Sequence, residues 1–362
     1  MLKVGILGAT GAVGQKFVEL LDGHPQFEIA SLMASERSAG KLYRDAANWI
    51  GATEMPEAIG AMEVGEVRTD VDVDFVFSGL DASVAGEIET QFAEAGVPVI
   101  SNARNHRMDA TVPLLIPEVN FDHTALIDGQ ETPGFIVTNP NCSTVGLVLA
   151  LKPLADAFGI EAVSVVTMQA LSGAGHPGVP SLDALANVVP YIGGEEDKLI
   201  HEPRKLLGTL EDGAIRPADI AISAQCNRVP VLDGHLECVS VRLASSASPA
   251  DVAKAISAFE SPLAGFDVPT APERPLRVFA DERYPQPRRH VNAGGGMQVS
   301  VGRVRACEVL DVKFVVLSHN TIRGAAGGAI LNAELLRAQG RLPVSSGRMS
   351  KHVARQTNGG AP

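Results

Sequence analysis

Met1 to Leu7 reads as a buried strand that runs directly into Gly8-Ala-Thr10-Gly11-Ala12-Val13-Gly14, and then into Gln15-Lys-Phe-Val-Glu-Leu-Leu21 at helical period. Strand, glycine turn and helix in this order constrain the chain more than any other stretch. The glycines let backbone N–H groups approach a pyrophosphate at the helix N-terminus, so the unit predicts a dinucleotide site touching Gly8, Thr10, Gly11, Ala12 and Val13. A second strand, Phe27 to Met33, ends in a turn carrying Ser35, Glu36, Arg37 and Ser38. Glu36 suits the ribose of NAD, whereas Ser35, Arg37 and Ser38 suit a 2′-phosphate; three groups against one favour NADP.

Further strands follow at Val73 to Gly79, Val97 to Ser101 and Gly134 to Thr138, with a helix from Val84 to Ala95. The alternation predicts a parallel, doubly wound sheet. The loop Asn102-Ala-Arg104-Asn-His106-Arg107-Met108 gathers basic side chains at the carboxyl end of that sheet, where open α/β folds bind ligands. Pro113 to Asn120 reads as irregular.

Past Lys152 the texture changes. A strand at Ala162 to Met168 leads into a glycine- and proline-rich stretch, Gln169 to Gly178, and then into a helix that ends near Leu207. Strands at Ala218–Ala224, Leu236–Leu243, Leu276–Ala280, Gln298–Arg305 and Val309–Leu317 predict a mixed or antiparallel sheet, with one helix between them at Pro249–Ser261. A last helix, Ala325 to Leu336, carries small residues along one side and is expected to pack back on the first sheet. The polar, Gly-rich tail from Ser345 is expected to be mobile.

With 362 residues, 45% hydrophobic and 20% charged, the composition is that of a globular enzyme with room for two domains. The net charge of −12 argues against nucleic acid or an anionic membrane as the main partner. No apolar run reaches membrane-spanning length, and the immediate entry into a strand gives no sign of a secretory leader. Cys142, Cys226, Cys238 and Cys307 lie far apart without CxxC spacing. That pattern fits a reduced cytoplasm and predicts no metal site.

Near the middle stands Thr138-Asn139-Pro140-Asn141-Cys142-Ser143-Thr144. Asn-Pro-Asn is a turn signal between a short strand and an apolar helix, with Pro153 two to three turns in. Cys142 therefore sits at a helix N-terminus, where unpaired N–H groups and the macrodipole are expected to favour a thiolate. His235 follows an Asp-Gly turn and shares a strand face with Val239, Val241 and Leu243, so it points toward a core or a cleft.

Taken together, these residues resemble the aspartate-β-semialdehyde dehydrogenases over nearly the whole chain. The glycine loop, Asn141-Cys142, Gln169-Ala-Leu-Ser-Gly, Arg228-Val-Pro-Val-Leu-Asp-Gly-His235-Leu-Glu237 and Asn320-Thr-Ile-Arg-Gly-Ala-Ala-Gly carry the resemblance. Ala34 to Lys41 and Tyr191-Ile-Gly-Gly-Glu-Glu look like the archaeal and fungal branch. The resemblance implies reduction of L-4-aspartyl phosphate to L-aspartate 4-semialdehyde with NADPH, a step toward lysine, threonine and methionine. It implies Cys142 as the nucleophile that forms a thioester, His235 as the acid/base and Gln169 as the group orienting the acyl carbonyl. Arg228 would pair with the substrate carboxylate, Glu195 with its amino group, and Lys198 and Arg107 with phosphate, with Asn141 beside them. Adjacent Glu196 and Asp197 leave the register of that run open. Ser172, Gly173 and Asn320 would touch the nicotinamide end of the cofactor.

The expected architecture is a Rossmann-type domain of residues 1–141 and 321–362, with a catalytic and dimerisation domain of residues 142–320 holding the mixed sheet. Homodimers or homotetramers are implied. Malonyl-CoA or succinyl-CoA reductase, of the same branch, is the alternative with the same chemistry on another acyl group. N-acetyl-glutamyl-phosphate reductase differs around the cysteine, and an NADP sensor without turnover would need none of Cys142, His235, Arg228 and Gln169.

Overall fold

Six strands, β1 (Leu2–Leu7), β2 (Phe27–Ala34), β3 (Val64–Glu66), β4 (Phe75–Ser78), β5 (Val99–Ser101) and β6 (Ile136–Thr138), form one sheet in the order β3-β2-β1-β4-β5-β6. Every pairing in it is parallel, as expected for strands buried on both faces. The strand order reverses between β1 and β4, and the glycine loop leaves β1 at that switch point to enter the helix Ala12–Leu21. The computed structural model describes residues 1–342. The tail expected from Ser345 lies outside the described residues.

The second sheet is mixed. It contains β7 (Ile160–Gln169), β10 (Ala221–Arg228), β11 (His235–Leu243), β12 (Leu276–Phe279), β13 (Val299–Ala306) and β14 (Val312–Ser318), in the order β10-β7-β11-β14-β13-β12. A small hairpin, β8 (Thr209–Glu211) with β9 (Ala214–Arg216), stands apart from it. The outer pairs β10/β7 and β12/β13 are parallel and the inner pairs antiparallel. One face is covered by the helix Cys142–Phe158, whose Leu147, Val148, Leu151 and Leu154 share a core with Val165, Val239, Val241, Phe314 and Val316. This helix continues past Pro153, which is itself buried; apolar contact around nearly the whole helix outweighs the one lost backbone hydrogen bond.

After β14 the chain makes a π-helical turn, Ile322–Ala326, before the helix Gly327–Ala338. Ala329, Ile330, Ala333 and Leu336 return to the first sheet and join the core of Val4, Ile6, Phe75 and Phe77, where the small-residue side of this helix was expected to dock. The stretch expected to be irregular is partly ordered. Leu114 bridges to Thr138, and Pro117–Asn120 forms a helical turn. Side-chain hydrogen bonds from Asn120 stand in for a ladder there, with Oδ1 accepting from Ile116 N (2.9 Å) and Nδ2 donating to Leu114 O (2.8 Å). Among the described residues no helix is long and apolar enough to cross a membrane.

The π-helical turn is anchored by a buried ion pair. Arg323 donates Nη1 and Nη2 to the two oxygens of Glu118, each at 2.7 Å, and both residues are 1% exposed. Truncating one partner strands the other charge, so Glu118→Ala should destabilise the protein by about 3–5 kcal/mol, read as a fall in its urea midpoint. A midpoint unchanged from wild type would show that the turn is held by other contacts.

Candidate active site

Asn139-Pro140-Asn141 leaves β6 at the carboxyl edge of the first sheet and starts the central helix. Asn141 is its N-cap, with Oδ1 accepting from Ser143 N (3.0 Å) and Thr144 N (3.4 Å), so Cys142 is the first helical residue. The π-helical turn closes over it. A Cβ at Gly324 would lie 2.8 Å from both Cα and Cβ of Cys142, so only glycine allows this approach. His235, the first residue of β11, is fully buried and places Nε2 3.2 Å from Cys142 Sγ. Its Nδ1 accepts from the backbone N–H of Ala170 (3.1 Å), which puts the proton of the neutral ring on Nε2, facing the sulfur.

The expectation of a resting thiolate does not hold. The helix N-terminus is present, but burial pushes the Cys142 thiol up to about 12, and the Glu195 charge adds to this against Lys198, Arg107 and Arg228. Cys142 keeps some surface open to the cleft, yet protein atoms surround it closely enough for desolvation to dominate. Burial and then Arg228 hold His235 down, at about 3. At neutral pH the pair is a thiol beside a neutral imidazole.

The helix Glu195–Leu206 supplies most of the polar wall. Glu195 is buried and lines the same cavity as Cys142, while Glu196 and Asp197 are exposed. Glu195 Oε2 accepts from Asn141 Nδ2 (2.8 Å) and Gln169 Nε2 (3.3 Å), and Oε1 pairs with Lys198. Burial works to raise the Glu195 pKa, but the Lys198 charge and these donors bring it below its ordinary value. Arg228 donates Nη1 to Ala170 O (2.7 Å) and makes no ion pair within 4 Å among the described residues. Arg107 is buried, with Nη1 on Glu202 Oε1 (2.8 Å) and Nη2 on Asn102 O (2.8 Å).

Glu202 was not foreseen. Its second oxygen accepts from Asn141 N (2.7 Å), so one carboxylate joins Arg107 to the start of the central helix. Three residues on, Lys205 donates from Nζ to the carbonyls of Arg107, Asp109 and Val112, each at 2.8 Å. Burial draws its pKa down to about 8. The signal available in the sequence was spacing: Glu195, Lys198, Glu202 and Lys205 fall at i, i+3, i+7 and i+10, along one helix face.

Asn141, Cys142, Glu195, Lys198 and Arg107 open on a cavity of about 390 Å³ that also touches Ala12, Val13, Ser172, Gly173 and Asn320. His235 and Arg228 stand behind its Gly173, where a Cβ would come within 2.9 Å of each. Asn320 Nδ2 donates to Ser172 Oγ (2.8 Å) and its Oδ1 accepts from Gly234 N (2.8 Å), so two of the three residues expected near nicotinamide are in contact. The glycine loop has the form a pyrophosphate needs. Gly8 has φ +74°, a Cβ at Gly14 would collide with the Gly8 carbonyl, and the first turn after Gly11 has no acidic side chain. Thr10 turns its carbonyl to Gln15 Nε2 (2.9 Å). Ser35, Arg37 and Ser38 lie outside this cavity, on the turn that follows β2, with Ser35 and Arg37 exposed. Among the described residues no group of three or more His, Cys, Asp or Glu could hold a metal ion.

A dinucleotide loop sharing one cavity with a cysteine that is paired to a buried histidine defines a class, and the family comparisons agree with it. Residues 3–127 match the model described as semialdehyde dehydrogenase, NAD binding domain, and residues 151–323 the one described as semialdehyde dehydrogenase, dimerisation domain. An aspartate-semialdehyde dehydrogenase of Archaeoglobus fulgidus is 52% identical over 340 residues, covering 92% of this chain and 97% of the relative. The crystal structure of the Candida albicans aspartate semialdehyde dehydrogenase with NADP superposes with a TM-score of 0.88 at 46% identity, over 94% of this chain and 99% of that one. Enzyme II from Vibrio cholerae, complexed with ASA, gives 0.73 at 30% identity over 93% and 98%. The chain belongs to the aspartate-semialdehyde dehydrogenase family. The CoA-dependent alternative finds no support among these relatives.

A neutral thiol alkylates slowly. Without substrate, the rate at which iodoacetamide modifies the Cys142 peptide should keep rising from pH 6 to pH 9. A plateau reached below pH 7 would mean that the helix N-terminus outweighs burial after all.

Proposed function

We propose that the chain reduces L-4-aspartyl phosphate to L-aspartate 4-semialdehyde with NADPH through a thioester on Cys142. The observation that carries this reading is Cys142, 3.2 Å from His235 and lining the cavity that the glycine-loop residues Ala12 and Val13 also line. The NADP complex of the 46%-identical Candida albicans relative supports the choice of cofactor, as do Ser35, Arg37 and Ser38 at the end of β2. Gly8, Thr10, Gly11, Ala12 and Val13 would hold its pyrophosphate, and Ser172, Gly173 and Asn320 would flank its nicotinamide. When bound, the cofactor supplies a hydride to the acyl carbon.

Everything else falls to side chains. Arg228, without a carboxylate partner, receives the substrate α-carboxylate, and Glu195 receives the α-ammonium. An ammonium at Glu195 competes with Lys198, which is then free to turn to the phosphate beside Arg107. Gln169, already on Glu195, steadies the acyl end. Cys142 attacks the acyl carbon, the C–O bond to phosphate breaks, and the thiol proton leaves on the departing phosphate. His235 keeps its Nε2 proton and donates a hydrogen bond to sulfur, both as it attacks and later as the C–S bond breaks and sulfur departs as thiolate, which then takes a proton from solvent to restore the resting thiol. This refines the acid/base role implied by the resemblance, because the Ala170 N–H at Nδ1 disfavours an imidazolium.

We read residues 1–141 with those from 321 onward as the cofactor-binding unit, and 142–320 as the catalytic and assembly unit. A homodimer or homotetramer in the cytoplasm is part of the same reading; the description of the second family model as a dimerisation domain supports assembly, and reduced, widely spaced cysteines support the compartment.

Cys142→Ala should abolish turnover and leave NADP binding intact. His235→Ala should lower kcat by about 10²–10³, the cost of removing one positioned donor. His235→Gln, which can still present an N–H to sulfur, should stay at least about tenfold faster than the alanine variant. Equal losses in the two His235 variants would return the residue to proton transfer, and turnover by Cys142→Ala within about tenfold of wild type would overturn the thioester route.

A further inference from the structure

Three cations, Arg104, Arg107 and Lys198, line the acyl-phosphate end of the cavity, and two of them are already neutralised. Arg107 is paired with Glu202 (2.8 Å) and Lys198 with Glu195. Arg228 lies on the acyl side, beside Ala170. The third, Arg104, is exposed, and its side chain makes no hydrogen bond or ion pair within 4 Å among the described residues. Its guanidinium reaches over the turn that begins the Glu195–Leu206 helix, since a Cβ at Gly194 would lie 3.6 Å from Arg104 Nη1. Asp81 borders the cavity too, but its carboxylate is held by Ser83, accepting the backbone N–H at 2.9 Å, as the cap of the Ala82–Glu94 helix.

We propose that Arg104 is a phosphate-binding and specificity-determining residue of this site, capturing the phosphate of the acyl donor and, in the oxidative direction, free phosphate. The inference rests on the acyl-phosphate reading above and adds a residue to it. The charges argue for it. An aspartyl phosphate carries one ammonium, one carboxylate and a phosphate of about two negative charges, a net of about −2. With the Arg107–Glu202 and Lys198–Glu195 pairs cancelling, Arg228 and Arg104 are the cations left without an ion pair, one for the carboxylate and one for the phosphate; Asp81, whose charge Arg104 helps to stabilise, is turned to the Ser83 N–H. The placement argues for it as well. Arg104 shares the Asn102–Met108 loop with Arg107, three residues away, and faces the turn that leads to Lys198. Lys198 is tied to Glu195 until an ammonium arrives, so Arg104 is the free cation that meets the phosphate first. A group that binds by charge at an exposed position acts before the chemistry and weakens with salt.

The test uses the purified full chain in the oxidative direction, with aspartate semialdehyde, NADP and varied inorganic phosphate. Arg104→Ala should raise KM for phosphate about tenfold, with KM for aspartate semialdehyde and for NADP moving less than about twofold. Arg104→Lys should recover most of the loss. Without turnover, the phosphate concentration that half-protects Cys142 from iodoacetamide should rise about tenfold in Arg104→Ala and depend less on ionic strength than in wild type. An unchanged phosphate KM and protection midpoint would overturn the proposal. So would a rise confined to the KM for NADP, which would assign Arg104 to the cofactor pyrophosphate near Ala12 and Val13. If the wild type itself shows no phosphate-dependent oxidation, the acyl-phosphate reading fails, a result distinct from loss in the variant alone.

Discussion

One buried carboxylate keeps the site in register. Glu202 takes Arg107 Nη1 on one oxygen and Asn141 N on the other, at 2.8 and 2.7 Å. A charge buried this deeply is tolerated only when both oxygens are satisfied, so the Arg107 loop and the start of the central helix cannot drift apart without leaving it unpaired. From Asn141 the order spreads in two directions. Oδ1 caps the helix that begins with Cys142, and Nδ2 reaches Glu195, which in turn holds Gln169 and Lys198. Lys205 adds three contacts to the backbone of the loop carrying Arg107. One face of one helix thus orders the proposed binding sites for ammonium and phosphate and the approach to the thiol.

The resting electrostatics suit an enzyme that acts only when loaded. A neutral thiol is a poor nucleophile, and it is also a poor target for oxidants and alkylating agents. The substrate brings what the free site lacks. Its ammonium engages Glu195, whose charge raises the Cys142 pKa, and its phosphate offers a base for the thiol proton. His235, fixed by the Ala170 N–H, has no need to change its protonation state in this scheme. The Arg228 contact to the Ala170 carbonyl joins the proposed carboxylate site to the residue whose N–H sets that tautomer.

Much of this was legible because it is local. A strand, glycines and a helix follow one another at Leu2 to Leu21, and the Asn-Pro-Asn turn before Cys142 is contiguous, so propensity and spacing suffice. Period-2 patterning placed His235 on the buried face with Val239 and Val241. What escaped depends on partners distant in sequence. Glu202 shares its helix with solvent-facing Glu196 and Asp197, and the contact to Arg107, 95 residues away, is what gives its burial a reason. The order in Pro113–Asn120 comes from the side chain of Asn120, which no periodicity reports. The thiolate expectation failed for a related reason. A helix N-terminus is visible in sequence, whereas the desolvation that outweighs it is set by the whole surrounding fold.

The central claim is that the acyl group passes through Cys142. Mixing enzyme with aspartate semialdehyde and NADP without phosphate, and following NADPH by stopped flow, tests it most directly. Thiol, aldehyde and oxidised cofactor should give thioester, NADPH and a proton, and then stall. The account predicts a burst equal to the concentration of active sites, with the aspartyl group on the Cys142 peptide by mass spectrometry and released when phosphate is added. Steady NADPH formation without a burst, or a burst leaving Cys142 unmodified, would contradict it.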